Sequence, residues 1–136
     1  MLELLGEVAG STPEGQVNGE GYPITFYDWG QLGLAVVTDA GATLSVGDDE
    51  FAGLAVHTTD GIHVGSTRAE AAAVAGYEGT DFDGDGQPDY LGLEAVANPD
   101  VDSLERPGEP GTDFIMVVLG DTVSRLIAPS SDYGDL

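Results

Sequence analysis

Residues 22–57 read YPITFYDWGQLGLAVVTDAGATLSVGDDEFAGLAVH, and this stretch decides the fold. It contains short apolar or alternating runs of strand length, which are Tyr22 to Asp28, Leu32 to Thr38, Ala42 to Val46 and Phe51 to His57. Turn-forming residues separate the runs, namely Trp29-Gly30, Asp39-Ala40-Gly41 and Gly47-Asp48-Asp49. Short apolar runs with such punctuation are typical of antiparallel strands. The stretch therefore predicts a meander.

A helix signal follows the meander. Thr67-Arg68-Ala69-Glu70 has the form of a capping box, in which Thr67 caps the helix and Glu70 reaches back to its free N–H groups. The alanine-rich stretch that follows favours a helix over Arg68 to Ala75, and Gly76 is well placed to end it. Such a short helix needs packing on a sheet to persist.

Strand signals return after the helix. They predict a strand from Tyr90 to Ala97 and a hairpin from Phe114 to Ala128 that turns at Gly120-Asp121 in type II′ form. Asn98 to Asp113, with its prolines and acidic residues, is interpreted as a mobile excursion.

The predicted architecture is α+β. We expect a single antiparallel sheet of about five to seven short strands with one short helix packed on one face. Residues 1–21 are interpreted as a flexible N-terminal arm or linker, 22–128 as the compact domain, and 129–136 as a C-terminal tail.

The charge balance excludes some partners. The 136-residue chain has 25 acidic residues, three arginines and no lysine, and its formal net charge is −22. Phosphate is repelled by such a surface, so nucleic acid is not an expected partner. No apolar run is long enough to span a membrane, so membrane insertion is not expected either.

One motif carries chemistry. The segment DFDGDGQPD spans residues 81–89 and places carboxylates at loop positions 1, 3, 5 and 9, with glycine at position 6. Calcium prefers six to eight oxygen ligands, and a tight loop with alternating inward side chains can supply most of them. The candidate ligands are Asp81, Asp83, Asp85, the backbone carbonyl of Gln87, and Asp89. The alternative interpretation is a solvated acidic turn.

The motif resembles the D-x-D-G-D-G-x-x-D calcium loops of FG-GAP repeats, thrombospondin type 3 repeats and EF-hand-like modules. It differs from an EF-hand at position 12, where Gly92 replaces the bidentate glutamate. Glu94 or Glu78 is a candidate for completing the ligand shell. The resemblance implies calcium as the bound ion and an extracellular or cell-surface location.

A second resemblance lies just upstream. Residues 58–70, TTDGIHVGSTRAE, resemble the helix entry "T-x-x-G-I-x-V-G-x-T-x-x-E" of small secreted actinobacterial domains, and are similar to helix entries in β-lactamase inhibitor proteins and outer-membrane assembly lipoproteins. This resemblance implies a small helical element on a curved antiparallel sheet that binds another protein.

These observations lead to a functional hypothesis with one alternative. We expect a non-catalytic, calcium-binding extracytoplasmic module that binds a protein or glycan or has a structural role. The alternative is a small hydrolase that uses His57 or His63, the only two histidines, with nearby carboxylates. Without cysteine, the sequence has no cysteine-containing zinc motif.

Overall fold

A computed structural model describes residues 1–17, 24–37 and 41–133. Most of the described strands form one antiparallel sheet in the order β1-β2-β3-β4-β10-β9-β8-β7, and β5 pairs with β6 in a separate ribbon. The elements are α1 (Leu2–Ala9), β1 (Gln16–Val17), β2 (Ile24–Asp28), β3 (Leu32–Val37), β4 (Gly41–Val46), β5 (Glu50–Phe51), β6 (Leu54–Ala55), α2 (Arg68–Val74), β7 (Tyr77–Glu78), β8 (Tyr90–Asp102), β9 (Pro110–Leu119) and β10 (Val123–Ser131). The described helices, of eight and seven residues, are too short to cross a bilayer.

The architecture agrees with the predicted helix on an antiparallel sheet, but the strand count of five to seven was too low, because eight of the described strands form the main sheet. A second helix, α1, was not predicted. The extra strands β1 and β7 have two residues each. Two residues are too few to show period-2 alternation. These strands are defined only by pairing with the free edge of a longer neighbouring strand.

The main core lies on one face of the sheet. Because successive side chains of a strand point to opposite faces, Leu91 and Leu93 share this face, while Tyr90 points to the other. Leu93 and Val117 are fully buried in the main core. The layer above it contributes Ile62, from a connecting loop, and Ala71 of α2, which is also fully buried.

Helix α2 begins where the capping box predicts. The Thr67 hydroxyl accepts a hydrogen bond from the Glu70 amide at 3.1 Å, and the Glu70 carboxylate accepts one from the Thr67 amide at 2.7 Å. The amide of Thr67 and its hydroxyl lower the pKa of Glu70. The helix ends at Val74, one residue early, because Ala75 is extended. Gly76 pairs with Gly92 in β8 instead of capping the helix.

Replacing Thr67 with alanine should lower the free energy of unfolding by about 1 kcal/mol, because the Glu70 amide loses its acceptor at the first turn of α2. Chemical denaturation of both proteins measures this difference. Thr59→Ala, at an exposed threonine outside the helix, is the matched control and should change stability by less than about 0.5 kcal/mol. Equal losses in the two variants would contradict the capping role.

The N-terminal segment contains regular structure that the linker interpretation of residues 1–21 did not include. Leu5 of α1 packs on the main core, and β1 pairs with β2 through Gln16 and Val17. The Trp29 indole N–H donates to the Ser11 carbonyl at 3.0 Å, which fixes the chain between α1 and β1. Residues 18–21, and with them the predicted boundary at 21–22, lie outside the described residues.

The predicted C-terminal tail begins too early. Strand β10 continues to Ser131, and Asp132 beyond it is buried at 3% exposure. The Asp132 carboxylate accepts hydrogen bonds from the Ser103 hydroxyl and the Thr112 amide, both at 2.6 Å. These contacts attach the end of the chain to the β8–β9 hairpin, so the sheet continues past residue 128. Residues 134–136 lie outside the described part of the chain.

The excursion predicted over Asn98 to Asp113 is largely strand. Strand β8 extends to Asp102 and β9 starts at Pro110, and irregular pairing between Asn98 and Asp102 absorbs the extra residues. The predicted β9–β10 hairpin is present with longer strands than expected, but its turn is not type II′. That turn requires a positive φ at its first central residue, and Gly120 has none.

An aromatic stack covers the second face of β8 and β9. The Tyr77 and Phe114 rings lie 4.7 Å apart, and the Tyr90 ring lies 6.2 Å from Phe114. The Glu105 carboxylate, in the β8–β9 turn, accepts hydrogen bonds from the hydroxyls of Tyr77 and Tyr90. The Arg106 guanidinium lies 4.1 Å above the Tyr77 ring. The turn therefore folds back over the sheet and closes a second, smaller core.

Candidate metal site

The DFDGDGQPD loop connects β7 to β8 and is closed at its base. The Gly79 amide donates to the Tyr90 carbonyl at 3.1 Å, and the Asp89 amide donates to the Thr80 carbonyl at 3.0 Å. Between these bonds the chain reverses through Gly84 and Gly86, whose φ angles are 78° and 88°. Non-glycine residues rarely adopt such angles, so both glycines are required by the turn.

Asp81 organises the interior of the loop. Its carboxylate accepts hydrogen bonds from the amides of Gly84 at 2.7 Å, Gly86 at 2.8 Å and Asp85 at 3.2 Å. These amides, that of Gly86 foremost, hold the pKa of Asp81 below its usual value. Asp81 is therefore kept as a carboxylate, with its oxygens oriented by the backbone.

Three carboxylates converge in the loop. Oxygen atoms of Asp81, Asp83 and Asp89 all lie within 4.8 Å of one another. The Asp85 amide, as the largest single influence, lowers the pKa of Asp83. Other influences raise the pKa of Asp83 by more than this amide lowers it, so its pKa lies above the usual value. They are burial, the charges of Asp85 and Asp89, and the hydrogen bond with Asp81. The three groups thus repel one another when all are ionised.

The other two candidate ligands are less well placed. Asp85 is not part of the close three-carboxylate group, and its carboxylate accepts a hydrogen bond from the Gln87 amide at 2.8 Å. Asp85 and Gln87 do line an adjacent cavity of about 430 Å³, together with Asp83 and Asp89. The structure therefore brings three of the five predicted ligand residues into one tight group and leaves two beside it.

The fold explains the glycine at position 12 of the loop. Gly92 lies in β8 beneath the aromatic stack, and a Cβ atom there would meet Phe114 Cγ and Tyr77 Cβ at 2.8 Å. No side chain fits at that position, so a glutamate ligand is excluded by packing. Glu94, proposed as a substitute, instead accepts a hydrogen bond from the Thr59 amide at 3.3 Å.

Arg68 is the residue at this site that sequence reasoning missed. From the first position of α2, its guanidinium donates to the Pro88 carbonyl at 2.6 Å and the Gly120 carbonyl at 3.1 Å. It therefore ties the helix to the loop and to the β9–β10 turn. The sequence did contain one indication of this role. Basic residues are rare in the chain, and Arg68, one of only three, precedes the acidic loop.

The two histidines lie together elsewhere. His57 and His63 line a cavity of about 280 Å³ whose wall also includes Asp49. Both histidines therefore share a cavity wall with an acidic residue, as the hydrolase alternative requires. Within the described cavity wall no serine, threonine or cysteine supplies a nucleophile.

The donor set of the acidic loop fits a hard cation. Its converging groups offer oxygen atoms only, and a carboxylate has about four lone-pair positions, so those that accept amide hydrogen bonds still have capacity for a metal. Oxygen ligands are those that calcium and magnesium prefer.

Comparisons of this chain with protein-family models, with curated proteins and with solved structures gave no match. The resemblance of the loop to calcium-binding repeats, and that of residues 58–70 to secreted actinobacterial domains, therefore stay predictions from the sequence.

Proposed function

We propose that this chain is a non-catalytic, calcium-stabilised extracytoplasmic module, in which the acidic loop holds the ion and the rest of the domain contacts a protein or glycan. The observation that carries the proposal is the convergence of Asp81, Asp83 and Asp89 within 4.8 Å. Burial and the charges of Asp85 and Asp89 raise the pKa of Asp83, and a cation at this point offsets those charges. Asp85, the Gln87 carbonyl and water are the candidates for the remaining positions.

Calcium fits this loop better than magnesium. Calcium accepts six to eight oxygens in flexible geometry, whereas magnesium demands a near-ideal octahedron and loses its water reluctantly. The loop brings three carboxylates together, and the packing at Gly92 denies it the bidentate glutamate that an EF-hand adds. Weak binding, at about 10⁻⁴ to 10⁻³ M, is typical of extracellular calcium modules. Such an affinity suits an extracellular or cell-surface location.

The ion would act on the fold through neighbours of the loop. Phe82 in the loop stacks on Tyr90 with ring centroids 6.3 Å apart, and Arg68 binds the carbonyl of Pro88. Closing the loop around an ion therefore stabilises both the aromatic stack and the attachment of α2. This supports a structural role for calcium rather than a catalytic one.

The test is calorimetric titration with calcium. The unsubstituted protein should bind one equivalent, and Asp83→Asn should weaken binding by about tenfold or more because it removes a charged ligand oxygen. Asp83 is a sharper choice than Asp81, whose carboxylate also accepts several backbone hydrogen bonds of the loop. Replacing Asp81 and Asp85 together by alanine should abolish binding.

Asp100→Asn is the matched control. It removes one negative charge from an exposed position on β8, so it reproduces the change in net charge but not the change at the loop. Its calcium affinity should equal that of the unsubstituted protein. Equal weakening by Asp83→Asn and Asp100→Asn, or equal stabilisation by calcium and by sodium chloride of matched ionic strength, would overturn the calcium proposal.

A further inference from the structure

A narrow turn carries one histidine on each of its two arms. At its neck the Thr58 amide donates to the Ile62 carbonyl at 2.8 Å, and the Ile62 amide donates to the Thr58 hydroxyl at 3.1 Å. Thr58 and Ile62 are both buried, at 5% exposure. His57 and His63 flank this neck, one on each arm of the turn.

Hydrogen bonds fix the same ring nitrogen in both histidines. Nδ1 of His57 lies 2.8 Å from the Thr58 carbonyl oxygen, and Nδ1 of His63 lies 2.8 Å from the Val64 carbonyl oxygen. A carbonyl oxygen only accepts, so Nδ1 carries the proton in each ring. In the neutral imidazole the lone pair is then on Nε2, which is free to bind a ligand.

Both histidines line one solvent-accessible cavity. The cavity, of about 280 Å³, is lined by both histidines and by Asp49, which lies just before β5. The Val56 amide donates to the Asp49 carbonyl at 2.9 Å and keeps that segment beside His57. Asp49 and His57 are exposed and His63 is half-buried, so an ion from solvent can reach all three.

We propose that His57 and His63 bind a divalent transition-metal ion of the zinc class through their Nε2 atoms, with water at the remaining positions. Imidazole is a preferred ligand of Zn²⁺, Ni²⁺ and Cu²⁺, unlike the oxygen set of the acidic loop. A ligating histidine almost always donates its other ring N–H to a carboxylate, a carbonyl or water, as both rings do here. The net charge of −22 further concentrates cations near the surface.

This site is independent of the calcium proposal, and one titration separates the two. Zn²⁺ is titrated calorimetrically into the protein with calcium at saturating concentration, in a buffer that does not coordinate metals. One saturable equivalent is expected, and His57→Gln and His63→Gln should each weaken it by about tenfold or more. Asp100→Asn, at an exposed position on β8, is the control for net charge and should leave zinc affinity unchanged.

A measurement on the unsubstituted protein keeps the proposal testable if a variant fails to fold. Long-range ¹H–¹⁵N NMR spectra should give the Nδ1–H tautomer for both rings without metal, and zinc should shift both Nε2 signals. Because the chain has two histidines, the single variants assign these signals. An Nε2–H tautomer in either ring, or unchanged zinc binding in the variant with both histidines replaced, would overturn the proposal.

Discussion

Replacing Leu93 with alanine is expected to lower the free energy of unfolding by about 2–5 kcal/mol. Leu93 has no exposed surface and belongs to the main core between the sheet and its covering layer. It lies on β8 opposite Ile115, immediately before the irregular pairing that bends this strand. Truncation removes buried methyl groups and leaves a cavity. The regularly hydrogen-bonded strands on one side of Leu93 cannot move in to fill it. Urea denaturation followed by circular dichroism measures the loss.

Leu104→Ala removes the same atoms from a residue that is 68% exposed, in the β8–β9 turn, and is the matched control. It should change stability by less than about 0.5 kcal/mol. If the two variants lost similar amounts of stability, β8 would not lie at the centre of the core. The acidic loop, which leads into the first residue of β8, would then not be anchored to the core.

Alkaline pH should destabilise the protein through the aromatic stack. Burial, aided by the Glu105 carboxylate, raises the pKa of both Tyr77 and Tyr90 well above the usual value near 10. The stability from these neutral hydroxyls is fully present below pH 10. Above about pH 10 the unfolded chain loses both protons while the folded chain keeps them, so stability falls as pH rises.

The expected slope is about 1.4 kcal/mol per pH unit for each tyrosine, or about 4 kcal/mol for the pair at 1.5 units above the unfolded pKa. Urea midpoints between pH 9 and about 11.5 measure it. Tyr77→Phe should reduce the slope by about half, although it loses a hydrogen bond at neutral pH. Tyr27→Phe, outside the stack, is the control and should keep the full slope. Stability that does not change between pH 9 and about 11.5 would contradict the prediction, because it would mean that ionising Tyr77 and Tyr90 costs the folded protein no free energy.

The two metal proposals concern opposite kinds of chemistry. The acidic loop would bind through carboxylate oxygens oriented by backbone amides, and the histidine site through the Nε2 atoms of rings whose Nδ1–H groups donate to backbone carbonyls. In each case the main chain fixes which ligand atoms are free, so each proposal depends on a hydrogen-bond pattern rather than on composition alone. Because the ion classes differ, each titration can fail without affecting the other.

Local patterns in the sequence were sufficient for several features. The capping box located the start of α2, since both its hydrogen bonds form between residues three apart. The alternation in residues 24–37 predicted strands β2 and β3, and the spacing of Asp81, Asp83 and Asp89 brought three carboxylates together within one turn. These features depend on contacts between near neighbours in the chain, which a sequence displays directly.

Other features were decided by contacts between residues far apart in the chain. The short strands β1 and β7 exist because they pair with β2 and β8, and β10 passes residue 128 because Asp132 is held by Ser103 and Thr112. The joining of Arg68 to the acidic loop depends on docking of α2. The two histidines flank a turn whose neck is formed by the buried residues Thr58 and Ile62. Burial is a property of the packed domain. The sequence identifies the two histidines as candidates, but only the tertiary structure places them in the wall of one cavity with Asp49.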